Sequence, residues 1–200
     1  MTDSEVIARL RGLTGFVRKL DIGRNSLTEI PALTKYREMD TLEELSLYKN
    51  KIEGIMWDNV PTQVQVLYLQ YNQLQDLPIL EQRQKCLQVR ELWLHNNTIQ
   101  SLQPGMIPGS VQKLYMDMNH LTKVGNISQL SLKVLDLSFN GLTEVIGQYL
   151  PASLTELRLD PNPLRQTVDL SHMVNLTRLS VPRSHCQEYR QMLPSTNIRC

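Results

Sequence analysis

Hydrophobic and polar positions repeat along this chain with a period of 21 to 25 residues. The repeated unit is LxxLxLxxNxL, in which the L positions carry leucine or another apolar residue and x is unrestricted. Because side chains alternate across a strand, the central LxL predicts a short β-strand with two buried apolar residues and an exposed residue between them. Seven segments fit this frame, and their asparagines are Asn25, Asn50, Asn72, Asn97, Asn119, Asn140 and Asn162. An eighth segment, which begins at Leu176, carries Ser184 in place of the asparagine.

The asparagine of each frame falls where the chain turns away from the predicted strand. Its side-chain amide carries both donors and an acceptor, so it can satisfy backbone groups that the turn would bury without partners. Stacked copies therefore predict a ladder of asparagines. The rest of each unit returns along the opposite side with spaced apolar residues such as Ile52, Ile55 and Val60. Because a strand is narrower than this return segment, we expect the stack to curve with a parallel sheet on its inner face.

The repeated frame resembles that of the leucine-rich repeat family, and the resemblance covers about residues 17–186. It implies an α/β fold: a horseshoe-shaped solenoid of about eight repeats with a parallel β-sheet on the concave face. It also implies a protein-binding role. A non-enzymatic scaffold for protein–protein interaction is therefore the function that the resemblance favours.

The ends of a solenoid need caps, because a terminal coil has an apolar face without a neighbour. At the N terminus, the apolar residues from Val6 to Leu13 fall on one side of a predicted short helix. At the C terminus, Pro182 ends the last frame strand, a helical pattern containing Tyr189 follows, and Ile198 adds a final strand-like residue. The predicted organisation is an N-terminal helical cap at residues 1–16, leucine-rich repeats at 17–186 and a C-terminal cap at 187–200.

Composition and charge disfavour several classes of function. Hydrophobic residues make up 41% of the 200 residues and charged residues 20%, a balance typical of a folded domain. The 21 basic and 20 acidic residues give a net charge of +1, which disfavours a protein held on nucleic acid by its overall charge. Apolar runs are too short to span a bilayer, and the first residues lack the basic and continuously apolar character of a secretory signal. We therefore expect a cytoplasmic protein that does not bind membranes.

The three cysteines, Cys86, Cys186 and Cys200, are widely spaced and odd in number. This pattern predicts neither a disulfide framework nor a zinc site, and it favours a reducing compartment. Cys86 and Cys186 fall at apolar positions of the repeat, while Cys200 is expected to be an exposed thiol. Because the sequence lacks the spacing of a metal site or a phosphate-binding loop, no metal or cofactor is expected.

The frame also predicts which side chains face outward from the sheet. Aromatic residues concentrate at these positions, and large apolar side chains are costly to expose, at about 25 cal/mol per Å² of apolar area. Their collection on one face predicts a partner-binding site in which Trp and Tyr supply most of the energy. The predicted site residues, which we call the concave patch, are Tyr48, Tyr68, Tyr71, Trp93, His95, Tyr115, Asp117, Met118, Asp136 and Phe139. The alternative is that neighbouring aromatic residues stack across strands and only stabilise the sheet.

Acidic residues lie near the far side of the concave patch on three successive predicted strands, at Asp117, Asp136 and Asp160. They favour a protein or peptide partner with an aromatic or aliphatic centre and a Lys or Arg toward the C-terminal end of the solenoid. A solvated face of mixed charge is the alternative. Single-stranded RNA is a rival ligand, because aromatic faces stack bases, but the carboxylates would repel its phosphates. Homodimerisation through the same face is a further alternative.

A catalytic arrangement of His95, Asp117 and Ser138 is the enzyme hypothesis, because these residues share one column on adjacent predicted strands. The spacing of strands would place His95 about 9–10 Å from Ser138. A histidine at that distance cannot take the proton of a serine. We therefore expect no catalytic site.

Overall fold

The structure, a computed structural model, describes residues 1–81 and 87–200. Within these residues, one parallel sheet of nine strands follows the order of the chain. A second sheet pairs Ser101–Leu102 with Lys123–Val124. The strands are β1 Lys19–Asp21, β2 Glu44–Ser46, β3 Val66–Tyr68, β4 Glu91–Trp93, β5 Ser101–Leu102, β6 Lys113–Tyr115, β7 Lys123–Val124, β8 Val134–Asp136, β9 Glu156–Arg158, β10 Arg178–Ser180 and β11 Asn197–Arg199. The eight frame strands occur where the period predicts them, and β11 adds a ninth strand beyond the last frame.

The inward leucines of the frame pair directly across the sheet. Leu45 of β2 is in register with Leu67 of β3, which is in register with Leu92 of β4. All three side chains are fully buried. The return segments cover them from the other side, with Ile52 and the indole of Trp57 also buried. Because each turn places its leucines over those of the turn before, the core is continuous along the described solenoid.

The asparagine ladder is confirmed, and Asn97 shows its geometry. The Oδ1 atom of Asn97 accepts the backbone N–H of Leu74 from the preceding turn at 3.0 Å. Its Nδ2 group donates to the carbonyl oxygens of Leu94 and Leu69, at 2.9 and 3.1 Å. One side chain thus joins two turns of the solenoid. The same pattern recurs at Asn50, Asn72, Asn119, Asn140 and Asn162.

The residue before each of the first six frame asparagines adopts a left-handed backbone, which the sequence pattern does not reveal. These residues are Arg24, Lys49, Tyr71, Asn96, Met118 and Phe139, with φ between 52° and 58°. A left-handed backbone costs about 1–2 kcal/mol for a side chain other than glycine, and less for asparagine. In the seventh frame, Pro161 occupies this position and its ring prevents a positive φ.

Two short helices lie at the ends of the solenoid. Helix α1 spans Asp3–Arg11 and buries Val6 and Leu10. Helix α2 spans Cys186–Met192 and buries Tyr189, whose hydroxyl accepts the backbone N–H of Val168 at 2.8 Å. Neither α1 nor α2, nor any helix elsewhere in residues 1–81 and 87–200, is long and apolar enough to cross a membrane.

The cysteine prediction was wrong for two of the three residues. Cys186 and Cys200 form a disulfide, with their Cα atoms 6.0 Å apart. The pairing of β11 with β10 brings the C-terminal residue back to the start of α2, a closeness that the linear spacing of cysteines does not show. The expected free thiol at Cys200 is therefore absent, and this pair removes the cysteine argument for a reducing compartment. Cys86 lies outside the described residues.

Candidate functional site

The centre of the concave patch is a row of three aromatic rings on adjacent strands. The sheet register aligns Tyr68 of β3 with Trp93 of β4, and Trp93 with Tyr115 of β6. The rings of Trp93 and Tyr115 are stacked with their centroids 4.0 Å apart, and the ring of Tyr68 lies 5.8 Å from Trp93 in a tilted arrangement. All three side chains are half-buried. They lie on the face opposite the leucine core, as the frame predicts, and they also stack across strands as the alternative explanation requires.

His95 connects this row to the outer part of the patch. The centre of its ring lies 5.9 Å from that of Trp93 and 5.4 Å from that of Tyr71, and both pairs are arranged edge to face. Burial lowers the pKa of His95, and the nearby charges of Asp117 and Asp136 oppose that shift. The imidazole is therefore held toward its neutral form, in which one nitrogen donates and the other accepts.

Three large apolar side chains form the rim of the patch. Tyr71, Met118 and Phe139 are 51%, 44% and 54% exposed. All three have the left-handed backbone that precedes a frame asparagine. They follow the C-terminal ends of β3, β6 and β8, and about half of each side chain is open to solvent.

Tyr48 lies apart from the other aromatic residues. It packs against the backbone of Gly23, where any side chain larger than hydrogen would overlap the tyrosine ring. The guanidinium carbon of Arg24 lies 5.4 Å from the centre of that ring, and the Nε of Arg24 donates to the tyrosine hydroxyl. No ring contact joins Tyr48 to Tyr68 in the described chain. The structure therefore places Tyr48 apart from the row of Tyr68, Trp93 and Tyr115, next to the cationic side chain of Arg24.

The structure corrects the expectation that Asp136 offers an open carboxylate. Asp136 is only 5% exposed, accepts the backbone N–H of Ser138 and forms an ion pair with Arg158 at 3.0 Å. Arg158 also pairs with Glu156, which in turn pairs with Arg178 at 2.7 Å. The network neutralises these carboxylates on β8 and β9. The role of Glu156 was missed because only the neighbours in the folded sheet show its burial.

Asp117 has a different environment. It is half-buried on the column between His95 and Ser138, and its side chain has no ion pair with any described Lys or Arg. Burial raises the pKa of Asp117, and the nearby charge of Asp136 raises it further. The charges of His95 and Arg158 act against this rise in pKa, but neither forms an ion pair with Asp117. Asp117 is therefore a partly desolvated carboxyl group without a directly paired cation among the described residues.

The structure does not bring His95, Asp117 and Ser138 together in a catalytic arrangement. The ring of His95 makes no hydrogen bond with Asp117 or Ser138, and Ser138 is buried two strands away. In residues 1–81 and 87–200, no group of His, Cys, Asp and Glu is arranged to hold a metal ion.

Models of the leucine-rich repeat family match two parts of the sequence. A model of Leucine Rich repeats (2 copies) matches residues 62–104, and a model of a single Leucine Rich Repeat matches residues 131–151. No curated protein matches the sequence at a significant level.

Several solved structures share this architecture. YopM from Yersinia enterocolitica WA-314 is 22% identical with a TM-score of 0.62, over 84% of this chain and 34% of that chain. The leucine-rich repeat domain of APL1B is 19% identical with a TM-score of 0.60, over 94% of this chain and 49% of that chain. The functional domain of InlJ from Listeria monocytogenes is 23% identical with a TM-score of 0.51, over 82% of this chain and 39% of that chain.

The repeats, the family models and the shared architecture identify the chain as a leucine-rich repeat protein. It spans between one third and one half of the length of the structures it resembles. At these identities the structures establish the fold alone. The leucine-rich repeat fold supports a protein–protein interaction scaffold in general.

Proposed function

We propose that this chain binds a protein or peptide on its concave face, with Trp93 at the centre of the interface, and that it catalyses no reaction. The observation that carries the proposal is the stacked row of Tyr68, Trp93 and Tyr115, which the register aligns on the sheet face away from the core. Interfaces concentrate their energy in Trp and Tyr residues near the centre of the contact. The row is half-buried in the free chain, so a partner would complete its desolvation.

The rim of the patch supports the same proposal. Tyr71, Met118 and Phe139 combine high exposure with a left-handed backbone. A large apolar side chain at such a position costs free energy twice, once through the backbone and once through hydration. The left-handed turn occurs in all of the first six frames, so the repeat itself sets this backbone. The three rim residues differ in exposing large apolar side chains there, which is typical of interaction surfaces.

Two polar atoms at the centre are suited to a peptide backbone. Trp93 Nε1 and Gln70 Oε1 are both covered and have no hydrogen-bond partner in the described chain. An amide group offers an acceptor for the first and a donor for the second. A modest rotation of either side chain toward a bound peptide would satisfy a group that is costly to leave unpaired.

The test is the substitution Trp93→Ala, with Tyr149→Ala as the matched control. Tyr149 is an exposed aromatic residue on a return segment, away from the patch. Affinity capture from the native cell with wild type and both variants would identify partners, whose dissociation constants are then measured with purified chains. We expect Trp93→Ala to weaken binding by at least about 2 kcal/mol, and Tyr149→Ala to leave it unchanged. Thermal melting must show that Trp93→Ala is still folded.

Normal binding by Trp93→Ala would contradict the proposed centre. Steep weakening of binding with added salt would indicate single-stranded RNA instead of a protein. Light scattering of the purified chain alone over a dilution series tests self-association, because a homodimer would form without any other partner and dissociate on dilution.

Cytoplasmic placement is part of the proposal, and it predicts that Cys186 and Cys200, which are paired in the structure, are largely reduced in the cell because cytosolic thiols are kept reduced. Rapid alkylation of free thiols in intact cells, followed by a mass measurement of the C-terminal peptide, tests this directly. A fully oxidised pair would point to an oxidising compartment.

A further inference from the structure

Ion pairs compensate most carboxylates that surround the aromatic row. Glu44 pairs with Lys19 at 2.7 Å, and Glu91 pairs with Lys113 at 2.7 Å. Asp136 and Glu156 belong to the Arg158 network described above. These pairs leave the face with few unmatched charges next to the rings.

Asp117 is the exception beside the rings. It lies two residues after Tyr115, the last residue of β6, and the alternation of side chains places both on the same face of the sheet. No described Lys or Arg pairs with its carboxyl group. Its neighbour His95 is held toward the neutral form and supplies no full positive charge. None of the described cations pairs with this carboxylate, so a cation on a bound partner would complete the pair.

We propose that Asp117 selects an arginine of the bound peptide, whose guanidinium group pairs with the carboxylate while its planar face lies on the ring of Tyr115. This inference rests on the proposed function, and it assigns the chemistry of the ligand at one position. Arginine fits better than lysine, because a planar guanidinium stacks on an aromatic ring and can donate two parallel hydrogen bonds to one carboxylate. The open rims at Met118 and Phe139 would accommodate an adjacent aromatic or aliphatic residue of the same peptide.

The probe is a random peptide library displayed on phage, selected in parallel on wild type and on three variants. Asp117→Asn removes the charge with little change of shape. Asp76→Asn is the matched control, because Asp76 carries an exposed carboxylate on a return segment, away from the sheet face that carries the rings. Trp93→Ala reports on the patch as a whole.

We expect wild type and Asp76→Asn to enrich peptides that combine arginine with an aromatic or aliphatic residue. Asp117→Asn should keep the apolar preference and lose the enrichment of arginine. A synthetic peptide from the wild-type selection should bind Asp117→Asn about 10- to 100-fold more weakly, and Asp76→Asn within about twofold of wild type. Replacing its arginine by citrulline, which is uncharged and of similar shape, should abolish the difference between wild type and Asp117→Asn.

The outcomes separate this inference from the proposed function. If selected peptides depend on Trp93 but show no arginine preference, or if Asp117→Asn retains that preference, the role of Asp117 is refuted and the binding patch stands. If wild type selects no peptide that depends on Trp93, the proposed binding surface fails and the assignment of Asp117 fails with it.

Discussion

Substitution of Asn97 by aspartate would test the physical basis of the solenoid at a single atom. The change preserves the shape of the side chain and replaces its NH₂ group by an oxygen. The Oδ1 atom can still accept the N–H of Leu74, but the second oxygen would face the carbonyl oxygens of Leu69 and Leu94 across contacts of 3.1 and 2.9 Å. Two attractive contacts thus become repulsive, at a site only 5% exposed.

The expected loss in the free energy of unfolding follows from the least unfavourable response of the folded protein, which is to keep the introduced carboxyl protonated. Holding a group of ordinary pKa about 3.9 neutral near pH 7 costs roughly 4 kcal/mol, at about 1.36 kcal/mol for each pH unit. The protonated group donates one hydrogen bond where the amide donated two, which adds about 1 kcal/mol. The carbonyls do not become orphans, because Asn72 still donates to Leu69 and Asn119 to Leu94. We therefore expect a loss of about 5 kcal/mol near pH 7.

The sign of the pH dependence is the decisive feature. The folded state raises the pKa of the introduced carboxyl above its unfolded value, so the folded state binds the proton more tightly. The penalty relative to wild type is therefore largest at neutral pH and shrinks to about 1–2 kcal/mol near pH 4.5. Asn97→Leu, which also leaves the N–H of Leu74 without a partner, should cost about 1–3 kcal/mol and show no such pH dependence.

Urea unfolding followed by circular dichroism at both pH values measures these differences. Asn126→Asp is the matched control, because the exposed Oδ1 atom of Asn126 only accepts hydrogen bonds, from the N–H and hydroxyl of Ser128, and a carboxylate does the same. We expect its stability to match wild type at both pH values. A variant at Asn97 that is as stable as wild type near pH 7, or whose penalty does not fall with pH, would refute the account of the ladder.

Two further substitutions test packing and the C-terminal end. Gly147→Ala should destabilise the fold by about 2–3 kcal/mol in thermal or chemical unfolding, because the new Cβ would overlap the backbone carbonyl of Asp169 in the next turn. Gly54→Ala, whose Cβ would meet nothing within 4 Å, should be neutral, and equal effects at the two glycines would contradict this assignment. Cys200→Ser should lower stability by about 3 kcal/mol, because its disulfide to Cys186 closes a loop with a sequence separation of 14. A reductant should shift the melting of wild type by a similar amount, and unchanged melting after verified reduction would contradict it.

The repeat period was sufficient to predict the register of the sheet. Every frame places its strand, its buried leucines and its asparagine at the same local positions, so stacking identical turns aligns like with like. That is why Leu45, Leu67 and Leu92 meet across the sheet as the frame predicts, and why Tyr68, Trp93 and Tyr115 form one row. A pattern that repeats along the chain becomes a pattern across space, because each turn is the nearest neighbour of the next.

The ion pairs and contacts of each outward side chain were decided only in the tertiary structure. The frame predicts that both Asp117 and Asp136 face outward, yet Asp136 is paired with Arg158 while Asp117 has no ion pair with a described Lys or Arg. Likewise, the frame gives no sign that Met118 has a left-handed backbone or that Cys200 meets Cys186. The period determines the position of each residue within its turn. The contacts of its side chain depend on the identity of residues one turn away and on the path of the chain around the end of the solenoid.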